Sequence, residues 1–205
     1  MKNIKIRFSR KMPFLIFWYI KQYSRAIRWM LTKKDKDITA IIKHRMIRNW
    51  AKEVKIFVET GTYLGDTSWA VRNTFREIHT VEMSEELYNE ALKRFKNTRH
   101  VHLYQGNSED ILPSITSKIT ENAVFFLDAH HSGGVTTKGN DNTPIVKEIK
   151  EIFKRERVGD IVIVDDADSF TGKDGYPTAK EMQILAEANG FAMEIECNMM
   201  KLVKK

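Results

Sequence analysis

Acidic side chains follow two apolar runs in the second half of the sequence, and their spacing is the first indication of chemistry. Asp128 comes directly after residues 123–127, and Asp165 and Asp166 come directly after residues 161–164. If the two runs are neighbouring parallel strands, about 4.8 Å apart, the three carboxylates emerge side by side at one edge of a sheet. Crowded carboxylates repel one another unless a cation or shared protons neutralise them. The pattern therefore predicts an all-oxygen metal site for Mg²⁺, Mn²⁺ or Ca²⁺ rather than for zinc.

A cation at this edge would serve a reaction at oxygen, because a bound divalent ion lowers the pKa of a hydroxyl and fixes its position. The alternative is that Asp165 and Asp166 cap a helix or a turn, while Asp128 positions a substrate without any metal. Asp168, in the same stretch, is not needed for this metal site. The spacing alone leaves both interpretations open.

Two histidines come directly after the first of these strands. His130 and His131 lie between Asp128 and a Ser-Gly-Gly stretch that suits a loop closing over a substrate. One imidazole could act as a general base near neutral pH, as an extra ligand, or as a group that orients a hydroxyl. Asp128 could itself be the base. The catalytic candidates are therefore Asp128, His130 and His131.

Two polar, glycine-containing loops are predicted to surround this site. They are residues 133–143 and residues 169–176, and the first is long for a connection in an α/β protein. Long loops at this end of a sheet often contact substrates. Their polarity suits a hydroxylated acceptor such as a sugar.

Residues 59–65 (ETGTYLG) form a second candidate binding element, because they turn out of a β-type run. Gly61 offers a backbone without a Cβ next to a ligand, and Gly65 allows the next helix to approach closely. The dinucleotide fingerprint would need glycines where Tyr63 and Asp66 stand. A nicotinamide site is therefore disfavoured.

A second carboxylate suggests what the turn binds. Glu82 ends the next β-type run, 23 residues after Glu59. This is about the spacing at which a carboxylate reaches a ribose diol. Two carboxylates and no phosphate-cradling lysine suit a ligand that is cationic and carries no phosphate. S-adenosylmethionine is such a ligand.

The elements that must position these residues alternate between strand and helix from residue 54 onward. This alternation predicts a mainly parallel sheet covered by helices on both faces, that is, an α/β fold. The predicted strands are 55–59, 78–82, 101–105, 123–128 and 160–165, followed by a short antiparallel pair at 191–196 and 200–203. The predicted helices are 38–51, 66–75, 84–96, 144–155 and 177–189.

In residues 57–68 (FVETGTYLGDTS) and 80–82 (TVE) the chain resembles the class I S-adenosylmethionine-dependent methyltransferases. The resemblance covers residues 54–203. It implies a Rossmann-like sheet of seven strands, mainly parallel with the last pair antiparallel, and it implies that Glu82 binds the ribose hydroxyls. The donor-site residues that it implies are Glu59, Thr60, Gly61, Thr62, Tyr63, Gly65, Thr67, Ser68, Glu82, Asn107, Ser108 and Asp128.

For Asn107 and Ser108, which follow the third strand, the resemblance implies contact with the adenine. The alternative is that they cap the helix starting near Glu109, and the sequence leaves the two open. The three aspartates look like the metal site of O-methyltransferases of the catechol and macrolide-sugar types. Those enzymes hold Mg²⁺ with one Asp after the fourth strand and an Asp-Asp or Asp-Asn pair after the fifth.

The resemblance implies O-methyl transfer to a hydroxyl, assisted by a divalent metal, and the polar loops favour a sugar, a glycan or another small molecule as the acceptor. Two alternatives stay open. One is a metal-independent methyltransferase with a histidine base. The other is a catalytically silent module that binds a membrane surface or a partner.

Charge divides the chain into two parts. Residues 1–50 hold 14 basic and two acidic residues, a net charge of +12, whereas residues 51–205 hold 20 basic and 25 acidic residues, a net charge of −5. The acidic body disfavours a nucleic acid substrate. We predict a basic amphipathic segment at 1–37 and a methyltransferase domain at 38–205. The single cysteine excludes an intramolecular disulfide and favours a reducing, cytoplasmic location.

The N-terminal segment contains the apolar run 14–20, which is far shorter than the roughly 20 residues of a membrane span. If this segment is helical, Lys21, Arg25 and Arg28 fall on one face, and aromatic and aliphatic residues cover much of the rest. Such a helix suits peripheral contact of residues 1–31 with the inner face of a membrane. The alternative is packing against the domain or against a second subunit of a homo-oligomer.

Overall fold

A computed structural model describes residues 12–32, 38–128, 144–173 and 175–204. In these residues the strands are β1 (Ile56–Thr60), β2 (Glu77–Glu82), β3 (Val101–Gln105), β4 (Ala123–Leu127), β5 (Ile161–Val164), β6 (Phe191–Glu196) and β7 (Met199–Lys204). The helices are α1 (Met12–Thr32), α2 (Ala40–Ala51), α3 (Asp66–Val71), α4 (Glu85–Phe95), α5 (Ser108–Thr116), α6 (Pro144–Phe153) and α7 (Ala179–Ala188). A short 3-10 helix, Ala167–Ser169, follows β5.

The strands form one sheet in the order β3-β2-β1-β4-β5-β7-β6. The first five are parallel, and β7 runs antiparallel to both β5 and β6. The predicted fold class is confirmed: it is the Rossmann-like sheet of class I methyltransferases. Since β1 lies between β2 and β4, the chain changes direction across the sheet there, and ligands of such sheets bind outside the carboxyl ends of the strands at this switch point.

Apolar layers cover both faces of the sheet, which is why β1, β4 and β5 are buried along their whole length. On one face α5, α6 and α7 pack on alternate strand residues such as Val58, Phe125 and Val162. On the other face α2 and α3 pack on residues such as Phe57 and Ile163. Strands buried on both sides are expected to be apolar runs, as observed.

Helix α3 is shorter than predicted, since it ends at Val71 instead of residue 75. The chain turns there, with the amide of Thr74 donating to the carbonyl of Val71. This turn allows the ring of Phe75 to pack on Phe57, with ring centroids 4.9 Å apart. Core packing therefore ends the helix early.

In residues 20–32, where its side chains are described, the N-terminal helix α1 packs against α2 along one face. Ala26 is buried in the same apolar cluster as Ile42 and Trp50, and Trp29 packs at its edge. This is the packing against the domain that one of the two alternatives predicts. Within the described part of the chain, no helix has the length and apolar character needed to cross a membrane.

Candidate functional site

The glycine turn lies between β1 and α3, at the carboxyl edge of the sheet. The amides of Gly61 and Thr62 both donate to the carbonyl of Val81, 3.0 Å away, which folds the turn over the end of β2. Gly61 and Gly65 have φ angles of +87° and +73°, which favour glycine. A Cβ on Gly65 would lie only 2.8 Å from the ring of Phe95. Gly65 therefore gives α4 its close approach to the turn.

Glu82 holds the turn from the end of β2. One carboxylate oxygen accepts the amide of Tyr63 at 2.7 Å, and the other accepts the amide of Ser84 at 2.8 Å. Tyr63 has a φ of +48°, a left-handed conformation that is uncommon for a residue other than glycine. Each oxygen of Glu82 keeps a lone pair, so that two further hydroxyl donors can still bind it.

Glu59 is buried beneath the turn and connects three elements. Its Oε2 atom accepts the hydroxyls of Ser68, at 2.6 Å, and Thr80, at 2.7 Å. The Thr62 hydroxyl lies 2.6 Å from that of Thr80. Since Thr80 donates its one proton to the glutamate, Thr62 must be the donor in that pair. Burial is the main reason why the pKa of Glu59 is raised to about 7, and nearby Asp128 adds to it.

The remaining residues predicted to bind a donor lie around this network. Asn107 caps α5, since its side chain accepts the amide of Glu109 at 3.2 Å. Thr67 pairs with His44 of α2 at 3.3 Å. Arg94 reaches the turn from α4, where it donates to the carbonyl of Leu64 and to Asp66. The contacts of Thr67 and Arg94 stabilise the turn and the start of α3, and that of Asn107 stabilises the start of α5. Contact of these residues with a methyl donor stays a prediction.

Glu148, on α6, is a site residue that was not predicted from the sequence. It is buried beside the end of β1, where it accepts hydrogen bonds from Thr60, at 3.4 Å, and from the side chain of Ser108. Burial raises its pKa to about 7, although both hydrogen bonds oppose the shift. Because Ile145, Glu148 and Ile152 recur at helical spacing, a carboxylate on the buried side of α6 could have been noticed.

Replacing Glu148 by glutamine is expected to stabilise the protein above pH 7. The unfolded chain releases this proton near pH 4.5 and the folded chain near pH 7, so ionising Glu148 lowers the free energy of unfolding as the pH rises between these values. Glutamine is never charged, and the gain at pH 8 should reach up to about 3 kcal/mol and disappear near pH 4.5. Urea unfolding at pH 5 and pH 8 measures the difference.

Glu187→Gln, on the exposed side of α7, is the matched control and should give the same small effect at both pH values. A Glu148→Gln protein that is less stable than the parent at pH 8 would show that the carboxylate is ionised and stabilised in the fold.

The three aspartates come together as predicted. Asp165 follows β5, and its amide donates to the carbonyl of Leu127 at the end of β4, at 2.9 Å. One oxygen each of Asp128, Asp165 and Asp166 lies within 4.8 Å of the others. Asp166 precedes the 3-10 helix, but its side chain makes no capping hydrogen bond. Capping therefore does not account for Asp166.

The carboxylate cluster, formed by Asp128, Asp165 and Asp166, is contiguous with the glycine turn. The amide of Asp128 donates to the carbonyl of Thr60 at 3.3 Å. A Cβ on Gly61 would lie 3.4 Å from the Cβ of Asp128, which is van der Waals contact. A ligand bound over the turn would therefore have this cluster as its neighbour.

Lys43 of α2, which the sequence did not single out, lies in the cluster. Its ammonium is 2.6 Å from Oδ1 of Asp165 and 2.9 Å from Oδ1 of Asp166. Burial alone would lower the pKa of Lys43, but the two carboxylates outweigh it and raise that pKa, so the ammonium stays charged. For Asp165, burial raises the pKa of the carboxyl group, and the charge of Lys43 opposes this shift without cancelling it.

A loop predicted to contact the acceptor adjoins the same edge. After the 3-10 helix, the buried ring of Phe170 packs edge-on against Tyr176, with centroids 5.4 Å apart, and Thr171 pairs with Thr178. This anchors residues 169–176 at both ends.

The other predicted loop, at 133–143, lies outside the described residues. So do His130 and His131, and their predicted roles stay predictions.

The donor atoms fit a hard divalent cation, since three carboxylates offer only oxygen. The Lys43 ammonium already supplies one positive charge to two of these carboxylates, those of Asp165 and Asp166. The turn also fits a ligand with a diol, because Glu82 is oriented by two backbone amides and keeps free lone pairs. Both groups are therefore compatible with the residues present.

Comparison with known proteins supports the fold. No protein-family model matches the chain, and no curated protein matches it in sequence. A Staphylococcus aureus protein provisionally assigned as a caffeoyl-CoA O-methyltransferase shares 15% identity over 94% of this chain and 98% of its own, with a TM-score of 0.60. Podospora anserina methyltransferase PaMTH1, solved with S-adenosylhomocysteine, shares 15% identity over the full length of both chains, with a TM-score of 0.59.

A Bradyrhizobium japonicum N-methyltransferase, NodS, is also similar, with 13% identity, coverage of 79% of this chain and 94% of its own, and a TM-score of 0.54. At this level of identity the similarities establish the fold. Since methyl transfer to oxygen and to nitrogen both occur among these proteins, the acceptor has to be argued from the site.

Proposed function

We propose that this protein is an S-adenosylmethionine-dependent methyltransferase that methylates a hydroxyl of a small polar acceptor, with a sugar or glycan as the favoured class. The observation that carries the proposal is the contiguity of the glycine turn and the carboxylate cluster, which meet at Gly61 and Asp128. A donor over the turn and an acceptor at the cluster would be neighbours. The similarity to PaMTH1, which was solved with S-adenosylhomocysteine, supports the choice of donor.

S-adenosylmethionine supplies a methyl group carried on a positively charged sulfur. In our proposal Glu82 accepts the ribose hydroxyls with the lone pairs that Tyr63 and Ser84 leave free. Asn107 and Ser108 face the adenine, and Glu148 fixes the hydroxyl of Ser108. Glu59 acts through the hydroxyls of Ser68 and Thr80, which keep the turn in shape.

A divalent cation held by Asp128, Asp165 and Asp166 would lower the pKa of the acceptor hydroxyl. The proton leaves to His130, His131 or Asp128. The acceptor oxygen then attacks the methyl carbon opposite the sulfur, the carbon–sulfur bond breaks, and neutral S-adenosylhomocysteine leaves. Proximity is the main contribution of the protein, because it holds the two reactants in line.

A metal-independent scheme is the second candidate, and the Lys43 ammonium favours it. Lys43 already contacts two of the three carboxylates, so the cluster is partly neutralised without an ion. In that scheme a histidine is the base and the cluster only orients the acceptor.

The proposal is tested with the full-length chain, labelled S-adenosylmethionine and a panel of sugars and glycans, with and without EDTA. We expect transfer of label to an oxygen, lost in EDTA and restored by excess Mg²⁺. Full activity in EDTA would leave the metal-independent scheme. Calorimetry that detects no binding of S-adenosylmethionine or S-adenosylhomocysteine would contradict both schemes and leave a catalytically silent module.

A further inference from the structure

We propose that Lys43 is the resident counter-ion of the carboxylate cluster, and that a divalent cation binds there only by displacing it. This inference rests on the metal site of the proposed function. It concerns a side chain on α2, more than 120 residues from the aspartates that it contacts. Competition between the two cations is expected because two of the three carboxylates that would hold the ion already bind Lys43.

The hydrogen bonds of Asp165 show why simultaneous binding of Lys43 and a divalent cation to its Oδ1 atom is unfavourable. Its Oδ1 atom accepts the Lys43 ammonium at 2.6 Å and also the amide of Asp166 at 2.9 Å. A carboxylate oxygen with two donors has no lone pair left for an ion in the carboxylate plane. Oδ1 of Asp166 is likewise bonded to Lys43, and Asn198 lies 3.4 Å from it. An ion that binds these atoms therefore has to replace the ammonium.

Charge leads to the same conclusion. Three carboxylates and one ammonium leave two negative charges, enough to attract a divalent ion. An ion a few ångströms from Lys43 would nevertheless meet a like charge, and the attraction between cluster and ion is weakened as long as the ammonium stays.

The backbone at Lys43 is fixed, whereas its side chain can withdraw. Ile42 and Ile47 anchor α2 in the apolar core, so the helix stays in place. The lysine side chain has four methylene groups and reaches solvent, with 17% of it exposed. Displacement therefore needs only a change of rotamer.

The test measures Mn²⁺ binding to the full-length chain, with electron paramagnetic resonance as the readout of the free ion. Lys43→Gln is expected to bind Mn²⁺ at least tenfold more tightly than the parent, because the competing charge is gone. If Lys43→Gln does not fold, Lys43→Met takes its place. It keeps the aliphatic stem and should show the same increase in Mn²⁺ affinity. Lys43→Arg keeps the charge and should resemble the parent, as should Lys93→Gln on the exposed face of α4.

Equal or weaker Mn²⁺ binding by both neutral variants would overturn the inference, and so would absence of Mn²⁺ binding by every protein in the series. Donor binding and methyl transfer are measured on the same samples. If both persist while the Mn²⁺ result fails, the competition is wrong and the proposed methyltransferase is not. If the parent neither binds donor nor transfers methyl, the proposed function itself has failed.

A second inference rests on a different part of the molecule. We infer that the exposed side of α1 binds an anionic membrane surface. This exposed stripe consists of five apolar side chains: Ile20, Tyr23, Ile27, Met30 and Leu31. Because they recur every three or four residues, they lie on one side of the helix. The adjoining side, at Ala26 and Trp29, packs against the domain.

The occupant follows from charge. Lys21, Arg25 and Arg28 border the stripe, and residues 1–50 carry a net charge of +12. An apolar stripe bordered by basic residues matches a membrane interface with anionic lipids. A second copy fits less well, because its N-terminal segment carries the same net positive charge and the two would repel each other, whereas anionic headgroups supply the opposite charge.

Co-sedimentation of the full-length chain with lipid vesicles tests this surface. We expect binding to an equal mixture of phosphatidylcholine and phosphatidylglycerol, little binding to phosphatidylcholine alone, and weaker binding at high salt. Ile27→Ser and Leu31→Ser should each weaken binding at least tenfold. Ile184→Ser, at an exposed isoleucine of α7, is the matched control and should bind like the parent.

Absence of binding to anionic vesicles, or equal binding to both lipids, would overturn the inference. A dimer in sedimentation velocity that Ile27→Ser and Leu31→Ser both dissociate would also overturn it, and would assign the stripe to a second copy.

Discussion

Replacing Asp165 by asparagine is expected to reduce methyl transfer at least about 100-fold, a loss of roughly 2.7 kcal/mol of transition-state stabilisation. The carboxylate lies at the end of β5, with an oxygen within 4.8 Å of oxygens of Asp128 and Asp166. Asparagine keeps the shape and removes one of three negative charges. Both a metal and a cationic transition state would lose an electrostatic partner in a part of the protein where burial strengthens such interactions. Initial rates with labelled donor measure the change.

Binding of S-adenosylhomocysteine should change by less than about threefold in the same variant, since a loss of only about 0.7 kcal/mol is expected where the donor contacts are retained. Asp168→Asn is the matched control. Asp168 lies in the 3-10 helix that follows Asp166, and its carboxylate accepts from the side chain of Asn198 at 2.8 Å. A rate for Asp165→Asn within threefold of the parent, with donor binding intact, would remove the cluster from the reaction.

The sequence predicted the fold because β1, β4 and β5 are mostly apolar runs, each with polar residues at or directly after its carboxyl end. Asp128 and Asp165 follow β4 and β5 directly, and parallel pairing of these strands then requires them to be neighbours. The same logic placed Glu59 and Glu82 around the turn. Local pattern and parallel topology together were therefore sufficient to predict where these four side chains lie.

Lys43 could not be predicted in this way. It lies on a helix that precedes the sheet, and its position depends on the angle at which α2 packs, which residues such as Ile47 and Trp50 determine through three-dimensional contacts. Nothing local distinguishes Lys43 from the other basic residues of the segment. For the same reason the sequence could not show which face of α1 packs on the domain, although it indicated an amphipathic segment there.

The charge state of the buried carboxyl groups was also beyond the sequence. Glu59 and Glu148 look like ordinary glutamates in the chain, but both are buried and both have pKa values raised to about 7. Burial of this kind depends on how helices cover the carboxyl edge of the sheet. It means that the proposed donor site is close to a change of charge at neutral pH.

Replacing Glu82 by glutamine is expected to weaken binding of S-adenosylhomocysteine at least about 100-fold, or roughly 2.7 kcal/mol. Glutamine has one acceptor oxygen, so one of the amides of Tyr63 and Ser84 would meet an NH₂ group instead. One ribose hydroxyl would lose its charged acceptor as well. Hydrogen bonds to a charged group contribute about 1.5–3 kcal/mol each, so two such losses exceed the expected value. Titration calorimetry measures the affinity.

Comparison with 2′-deoxy S-adenosylhomocysteine separates the two roles of Glu82. If Glu82 binds the ribose, the analogue should bind much more weakly than S-adenosylhomocysteine to the parent and only slightly more weakly to the glutamine variant. An equal loss on both proteins would mean that Glu82 supports the turn without touching the ribose. Glu85→Gln, at an exposed position in the first turn of α4, is the matched control and should bind both ligands like the parent. Glu82 is thus expected to have two roles: it stabilises the conformation of the turn, and it binds the ribose of the ligand.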